Sequence, residues 1–197
     1  MREVELKAIV PDAPALQRAL DAAGAVCTFR GSLSDRRYDT ARSTLFGKDH
    51  VLRVRTYTDA SGARATVDWK GPTHYQDGYK VREELSTAAD DAPALVTILD
   101  RLGYVVVGEI DRDIAQYTLC DTTVRIEWYP RMDVLVEVEG EPAAIERAIA
   151  VTGIPRDAFT AERLSDFVAR YEARTGQPAA VSARELAGDH SHNASRA

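Results

Sequence analysis

The chain has 197 residues, a formal net charge of −6, 45% hydrophobic residues and 28% charged residues. This length and composition are typical of a soluble globular domain that buries its own core. The acidic net charge argues against non-specific nucleic-acid binding, and no apolar run approaches the roughly 20 residues that cross a bilayer. Charges at positions 2, 3 and 5 argue against a signal peptide. We therefore expect a cytoplasmic protein without nucleic-acid or membrane partners.

Two predicted helices share one sequence pattern. The first follows a strand at 2–10 and extends over 12–24, with Asp12 as its cap and Gly24 at its end. The segment at 90–103 repeats that pattern, and a weaker copy follows at 141–154. The spacing is typical of a repeated strand–helix unit, or of ordinary capped helices in an alanine-rich protein. Neither interpretation indicates a function.

Strands and turns alternate through much of the remaining chain. The predicted strands are 25–33, 51–58, 63–70, 79–87, 104–111, 115–120, 123–129 and 133–139. Short turns join several neighbours, so we expect antiparallel pairing. A last amphipathic helix is predicted at 161–175, which makes 1–175 the domain. Residues 176–197 are small and polar, which predicts a flexible tail with a short helical stretch at 182–187.

Six of the predicted strands have one charged face and one apolar face. Side chains alternate across a strand, so Glu3, Glu5 and Lys7 share a face opposite Val4 and Leu6. The charged faces of the other strands include Arg53, Arg55, Asp68, Lys70, Lys80, Arg82, Glu84, Arg125, Glu127, Glu137 and Glu139. One whole side of the sheet is therefore ionic.

The ionic side has two interpretations. An antiparallel sheet often leaves one side in water, and the charges would then keep an open sheet soluble without forming a site. However, the ionic side is rich in Arg and Glu at strictly alternate positions, and about four amphipathic helices are available to cover the apolar side. These features favour an α+β fold in which a closed antiparallel β-barrel of about eight strands surrounds a charged tunnel, with the helices packed outside.

A charged tunnel needs ligands that balance its ions, since burying unpaired charges costs several kcal/mol per ion. Arginine matches phosphate oxygens bidentately and lysine acts as a point charge. Clustered carboxylates suit Mg²⁺ or Mn²⁺. A nucleotide or inorganic triphosphate with a divalent metal satisfies both sets, so we expect a triphosphate-containing small molecule as the partner. The oligomeric state stays open between a monomer and a homodimer.

The order and spacing of these residues resemble the CYTH superfamily, the triphosphate tunnel metalloenzymes. The segment EVELK at 3–7 fits the family's opening E-x-E-x-K pattern. The matches continue in order with SDRRYDT at 34–40, VLRVR at 51–55, VDWKGP at 67–72, YKVREEL at 79–85 and VLVEVEG at 134–140. The chain looks most like the group around class IV adenylate cyclase. This resemblance implies a closed antiparallel barrel with outer helices.

The resemblance also implies roles for individual residues. The expected catalytic residues are Glu5, Lys7 and Glu84. The residues expected to hold phosphate oxygens are Lys7, Arg53, Arg55, Lys70, Lys80, Arg82, Arg112 and Arg125. The residues expected to bind one or two Mg²⁺ or Mn²⁺ ions are Glu3, Glu5, Glu127, Glu137 and Glu139. Two positions depart from the family pattern: Ile114 stands where a base is common, which Arg125 can offset, and Glu127 stands where an aspartate is common.

These expectations together favour metal-dependent hydrolysis of an inorganic or organic triphosphate inside the tunnel. One alternative is a class IV-type adenylate cyclase that converts ATP to cyclic AMP and pyrophosphate, because the position of the substrate decides which phosphorus meets the nucleophile. A second alternative is a module that binds a phosphorylated ligand without turnover. The plainest alternative is the charged open sheet with no site.

Overall fold

The strands form a single antiparallel sheet. The computed structural model describes residues 2–119 and 121–191, and within these ranges the sheet has nine strands. They are β1 (Arg2–Ile9), β2 (Val26–Thr40), β3 (Val51–Asp59), β4 (Gly62–Lys70), β5 (His74–Gln76), β6 (Tyr79–Ala89), β7 (Tyr104–Leu119), β8 (Thr122–Trp128) and β9 (Leu135–Glu139). The antiparallel pairing expected from the short turns is therefore confirmed.

The sheet closes into a barrel through its first strand. The strand order is β1-β9-β8-β7-β2-β3-β4-β6-β5, and β1 pairs with β6 as well as with β9. In the closing pair Glu3 lies opposite Arg82, and Glu5 lies opposite both Lys80 on β6 and Glu139 on β9. Of the described strands, eight form the barrel and the short β5 is added at β6. The predicted closed barrel is confirmed, and the alternative of an open sheet is wrong.

Helices lie on the outside of the barrel. They are α1 (Ala13–Ala22), α2 (Ala92–Arg101), α3 (Pro142–Thr152), α4 (Leu164–Thr175) and α5 (Ala183–Leu186). Asp12 and Asp91 cap α1 and α2 in the same way, because each carboxylate accepts a hydrogen bond from the third residue after it at 2.8 Å. Within the described ranges, every helix is too short or too polar to span a bilayer.

The main apolar core lies between the barrel and these helices. Leu16 and Leu20 of α1 and Ile145 of α3 pack in one cluster with the outward-facing Val4 and Leu6 of β1. All five side chains are buried. The outer face of the barrel is thus the hydrophobic one, which leaves the charged face of each strand directed inward.

β2 and β7 are longer than their sequences predict. β2 includes 34–40, which follows the predicted strand at 25–33, and β7 joins the two strands predicted at 104–111 and 115–120. β2 pairs with β7 from Val26 to Thr40. This pairing between strands keeps the chain extended where the local sequence predicted that a strand ends. Gly31 is required inside β2, because a Cβ atom there would lie 2.2 Å from the carbonyl oxygen of Thr58.

The segment after α4 packs against the barrel, where the sequence predicted a flexible tail from 176. Ala180 exchanges two backbone hydrogen bonds with Arg131, and Val181 accepts one from the N–H of Asp111. Val181 also lies in an apolar cluster with Ile110 and contributes a buried side chain. The predicted helical stretch at 182–187 corresponds to α5. The three small apolar residues at 179–181 are buried in this docked segment, and 192–197 lie outside the described residues.

Candidate active site

The interior of the barrel is built from the charged face of each strand. In β1, Glu3, Glu5 and Lys7 are buried inside the barrel, on the face opposite Val4 and Leu6. The other buried charged residues of the interior are Asp35, Arg53, Arg55, Asp68, Arg82, Arg112, Arg125, Glu127 and Glu137. Charges on a merely solvated face would be exposed, so these residues form an enclosed ionic site.

Two cavities lie along this interior. The first cavity has a volume of about 200 Å³, well above the roughly 15 Å³ that one enclosed water molecule needs. Arg55 and Arg125 line both cavities, whereas Arg37 lines the first, and Glu84 and Glu139 line the second. A ligand that extends past Arg55 and Arg125 can therefore contact groups in both.

Asp35 is the hub of one group of arginines. Its carboxylate accepts two hydrogen bonds from Arg55, at 2.7 and 3.0 Å, and one from Arg112 at 3.1 Å. Arg53 lies 3.6 Å away. Burial opposes ionisation of Asp35, but Arg55 and Arg53 hold its pKa well below the usual value. The carboxylate is therefore charged and fixes the positions of three cations.

Glu127 is the hub of a second group. It accepts hydrogen bonds from Arg112 at 2.8 Å, from Arg125 at 3.1 Å and from the Tyr129 hydroxyl at 2.6 Å. Burial opposes its ionisation, but Arg112 and Arg125 lower the pKa of Glu127 to about 2. Arg112 thus joins the two hubs, so β2, β3, β7 and β8 share one ionic network.

The lysines form a third group with the acids of β1. Lys7 forms ion pairs with Glu5, at 2.9 Å, and with Glu137. Lys80 pairs with Glu5 as well, and Lys70 pairs with Glu3 at 2.5 Å. Burial opposes protonation of Lys7, but Glu137 and Glu5 raise its pKa above the usual value. Lys7 is therefore charged at neutral pH.

Arg53 and Arg82 both line the first cavity but have different partners. Arg53 donates two hydrogen bonds to Asp68, at 2.9 and 2.7 Å, and lies 3.4 Å from Glu84. Arg82 donates to backbone carbonyl oxygens instead, to that of Gly71 at 2.7 Å and to that of Asp49 at 2.6 Å. These backbone carbonyls fix the guanidinium of Arg82, and the carboxylate of Asp49 lies 4.0 Å from it.

Glu3, Glu84 and Glu139 form a carboxylate cluster. One oxygen from each lies within 4.8 Å of the others. Glu3 Oε2 is buried and has no hydrogen-bond partner among the residues that the structure describes. Burial, and then the neighbouring Glu137 and Glu3, raise the pKa of Glu139 to about 7, and burial raises the pKa of Glu84. Crowded hard oxygen donors with an unsatisfied atom fit a divalent cation such as Mg²⁺ or Mn²⁺.

The cluster overlaps in part with the metal ligands expected from the sequence. Glu3 and Glu139 were in that set, and Glu84 was expected to be catalytic. Glu5, Glu127 and Glu137 lie nearby, but each is ion-paired with buried bases. Their base partners contact the carboxylate oxygens, as Lys70 does at Glu3.

Ile114 lies inside the barrel, at the position where the family pattern commonly has a base. It pairs with Glu127 across β7 and β8 and packs with Phe29 and Leu33 in a small apolar cluster. Arg125 lies on the neighbouring strand and forms ion pairs with Glu127 and Glu137. The interior thus has an apolar contact where the family commonly has a base, and a cation from β8 lies beside it.

Sequence reasoning missed the roles of three residues in SDRRYDT. Asp35 is the arginine hub, and Arg37 extends from the same strand face into the first cavity. Asp39 instead accepts hydrogen bonds from the backbone N–H groups of Leu45 and Phe46, both at 2.9 Å, and so stabilises the loop after β2. Alternation within 34–40 was the available signal, but it is informative only once this segment is known to be a strand.

The family model for the CYTH domain matches residues 1–150 of the chain. The chain belongs to the CYTH domain family. This match covers β1 to β9, and therefore every residue of the barrel interior described above. No curated protein sequence matches the chain.

Solved structures of several CYTH-like proteins share the fold at low sequence identity. A protein from Vibrio parahaemolyticus, described as a candidate adenylate cyclase, is 18% identical with a TM-score of 0.71, over 85% of this chain and 97% of that one. The PH1819 protein from Pyrococcus horikoshii is 18% identical with a TM-score of 0.68, over 89% and 99%. A Hippeastrum protein, described as a candidate adenylyl cyclase with a dominant triphosphatase activity, is 18% identical with a TM-score of 0.59, over 89% and 96%.

Proposed function

We propose that this protein is a divalent-metal-dependent hydrolase of a triphosphate, either inorganic triphosphate or an organic triphosphate. The observation that carries the proposal is the carboxylate cluster beside buried arginines and lysines in one closed barrel. A polyanion that brings its own divalent cation is the ligand that balances both sets. The triphosphatase activity named for the Hippeastrum protein is of the same chemical class.

The basic residues hold and neutralise the phosphate oxygens. Arg55 and Arg112 are fixed in place by Asp35, and Lys7 is fixed by Glu5 and Glu137. Cations that are already oriented lose little freedom when phosphate binds, and they stabilise the charge that develops during phosphoryl transfer. In this proposal Glu5 orients Lys7 and Lys80.

The carboxylate cluster holds the divalent cation in this proposal. A bound cation polarises a phosphoryl oxygen and lowers the pKa of water. Lys70 contacts Oε1 of Glu3, while Oε2 accepts no hydrogen bond from a described residue and is available to a cation. Glu84 lies 3.4 Å from both Lys70 and Arg53, so it joins the cation site to the phosphate-binding bases.

The test is an activity assay with a matched pair of variants. We expect the wild-type protein to release free phosphate from inorganic triphosphate with Mg²⁺ or Mn²⁺, and to lose that activity in a chelator. Glu84→Gln should reduce turnover about 100-fold. Glu83→Gln is the control, because Glu83 is the exposed neighbour on the opposite face of β6. Tight triphosphate binding without product under either metal would contradict hydrolysis and favour a binding module.

A second candidate function is cyclisation of ATP. It is favoured by Phe46, an aromatic side chain that is 57% exposed and lines the first cavity together with Leu52 and Val107. Such a rim can contact a nucleobase while the phosphates lie among the arginines. With ATP as substrate, cyclic AMP and pyrophosphate would indicate the cyclase, and free phosphate would indicate the hydrolase.

A further inference from the structure

Helix α2 has an apolar face that is exposed. Leu99 lies on the opposite side of the helix, where it is buried in a cluster with Tyr38 and Val54 of the barrel. Ile98 and Leu102 lie one turn apart outside that cluster, and they are 54% and 67% exposed. Large apolar side chains four residues apart share one helix face and form a patch that a partner can cover. The outer face of α2 consists of Ala94, Ile98 and Leu102.

The repeated helix α1 forms and packs without such large residues. In the sequence pattern that α1 and α2 share, Ala19 and Ala23 occupy the positions of Ile98 and Leu102. Both helices have the same aspartate cap. α1 lies beside α3 of the same chain, whereas the principal contact of α2 is with β7. Isoleucine and leucine on the outer face of α2 are therefore not needed to form the helix or to pack it on the barrel.

The two ends of α2 carry charges of opposite sign. Asp90 and Asp91 precede its first turn and Arg101 lies in its last turn, and all three residues are exposed. When two α2 helices pack antiparallel about a twofold axis near Ile98, Arg101 of each copy lies beside the acidic end of the other. The two helix dipoles then oppose each other, which is favourable. Ala94 lies opposite Leu102 in this arrangement, so a small side chain leaves room for a large one.

We propose that the outer face of α2 is an interface between two copies of this chain, which pair through their α2 helices as an antiparallel dimer. The charge pattern favours a second copy as the partner, because the face is complementary to itself. Two helices of this length bury less than the roughly 1,200 Å² of a standard interface, so we expect a dimer that dissociates at micromolar concentration. Of the described residues that line the two cavities, none belongs to α2, so the dimer does not depend on the proposed function.

The test is sedimentation velocity of the full chain from about 1 µM to about 500 µM. We expect the wild-type protein to change from monomer to dimer over this interval. Leu102→Glu should weaken the dimer by about a hundredfold, because a twofold interface contains each substitution twice. Ala23→Glu is the matched control at the equivalent exposed position of α1, and it should leave the dimer unchanged. Ile98→Ala combined with Leu102→Ala gives α2 the residues that α1 has, and it should also remove the dimer with the fold intact.

A charge exchange tests the antiparallel arrangement. Arg101→Glu should weaken the dimer by about tenfold, because an acid then lies beside the acidic end of the other copy. Asp90→Lys combined with Arg101→Glu should recover part of the affinity, since the two signs are exchanged together. Wild-type protein that stays monomeric throughout would overturn the inference and leave a different protein as the occupant of this face. Equal weakening by Leu102→Glu and Ala23→Glu, or a dimer that neither affects, would overturn it as well.

Discussion

Two places in the barrel interior carry opposite charge surpluses. At the carboxylate cluster three acids lie within 4.8 Å of one another, and the pKa of Glu139 is raised to about 7. In the first cavity Arg37 lies opposite Arg53 and forms no ion pair with an acid of the described residues, and its pKa is lowered to about 10. In each place burial, and then like-charged neighbours, disfavour the charged form.

Around Asp35 and Glu127 the charges are balanced. Asp35 and Glu127 hold Arg55, Arg112 and Arg125, and the pKa values of both acids are lowered. This difference indicates where ligands bind. A network in which acids and bases balance holds side chains in position, whereas a place with more charges of one sign lacks the counter-charge that a ligand can supply. A surplus of acid fits a cation and a surplus of base fits phosphate. Each of the following predictions concerns a change either to a place with excess charge or to the balanced network around Asp35 and Glu127.

Breaking the balanced centre should have the largest effect. Asp35→Asn removes the carboxylate that holds Arg55 and Arg112. It leaves buried cations uncompensated, so the free energy of unfolding should fall by about 3–5 kcal/mol, as measured by urea denaturation. Asp133→Asn breaks an exposed pair with Arg174 and should cost less than about 1 kcal/mol. Similar small losses for both variants would contradict the contrast.

Removing one acid from the carboxylate cluster should have the next largest effect. The main loss should be in activity and not in stability. Glu139→Gln removes one ligand of the cluster, so metal-dependent turnover should fall about 100-fold. The same variant should be more stable than the wild type at pH 8 without metal, because one repelling charge is lost. Glu141→Gln, an exposed position two residues on, should change neither quantity. Loss of stability in Glu139→Gln would show that the carboxylate is structural.

The pH dependence of the metal-free protein tests the same surplus. The pKa of Glu139 is about 7 in the folded protein against 4.5 normally, so the folded state retains a proton that the unfolded state releases. This contribution to stability is present below about pH 4.5 and is lost as the pH rises through about 7. The wild type should therefore lose stability relative to Glu139→Gln over this interval. Parallel pH profiles of the two proteins would be the contrary result.

The rim of the first cavity should give the smallest effect. Phe46→Ala removes the exposed aromatic side chain, which should weaken ATP binding by about tenfold while leaving inorganic triphosphate unaffected. Equal affinities of the wild type and the variant for ATP would remove the support for a nucleotide substrate. Because the phosphate-binding residues are unchanged in this variant, it separates the contribution of the rim to nucleotide binding from the contribution of the interior to phosphate binding.

Much of the site could be predicted because it depends on local alternation. The shared face of Glu3, Glu5 and Lys7 follows from the geometry of a single strand. The capped ends of α1 and α2 follow from Asp12 and Asp91 for the same local reason. Patterning of one apolar and one ionic face in six strands also favoured a barrel with helices outside, and the structure has this arrangement.

The pairing of particular charges could not be predicted, because it depends on closure and register. Glu84 joins Glu3 and Glu139 because β1 pairs with β6 on one side and with β9 on the other. The surplus at Arg37 likewise arises from its register opposite Arg53 on β3. The sequence by itself determined which faces are ionic, since alternation is a property of each strand. The tertiary structure decided which ions are neutralised, since that depends on distances between strands remote in the chain.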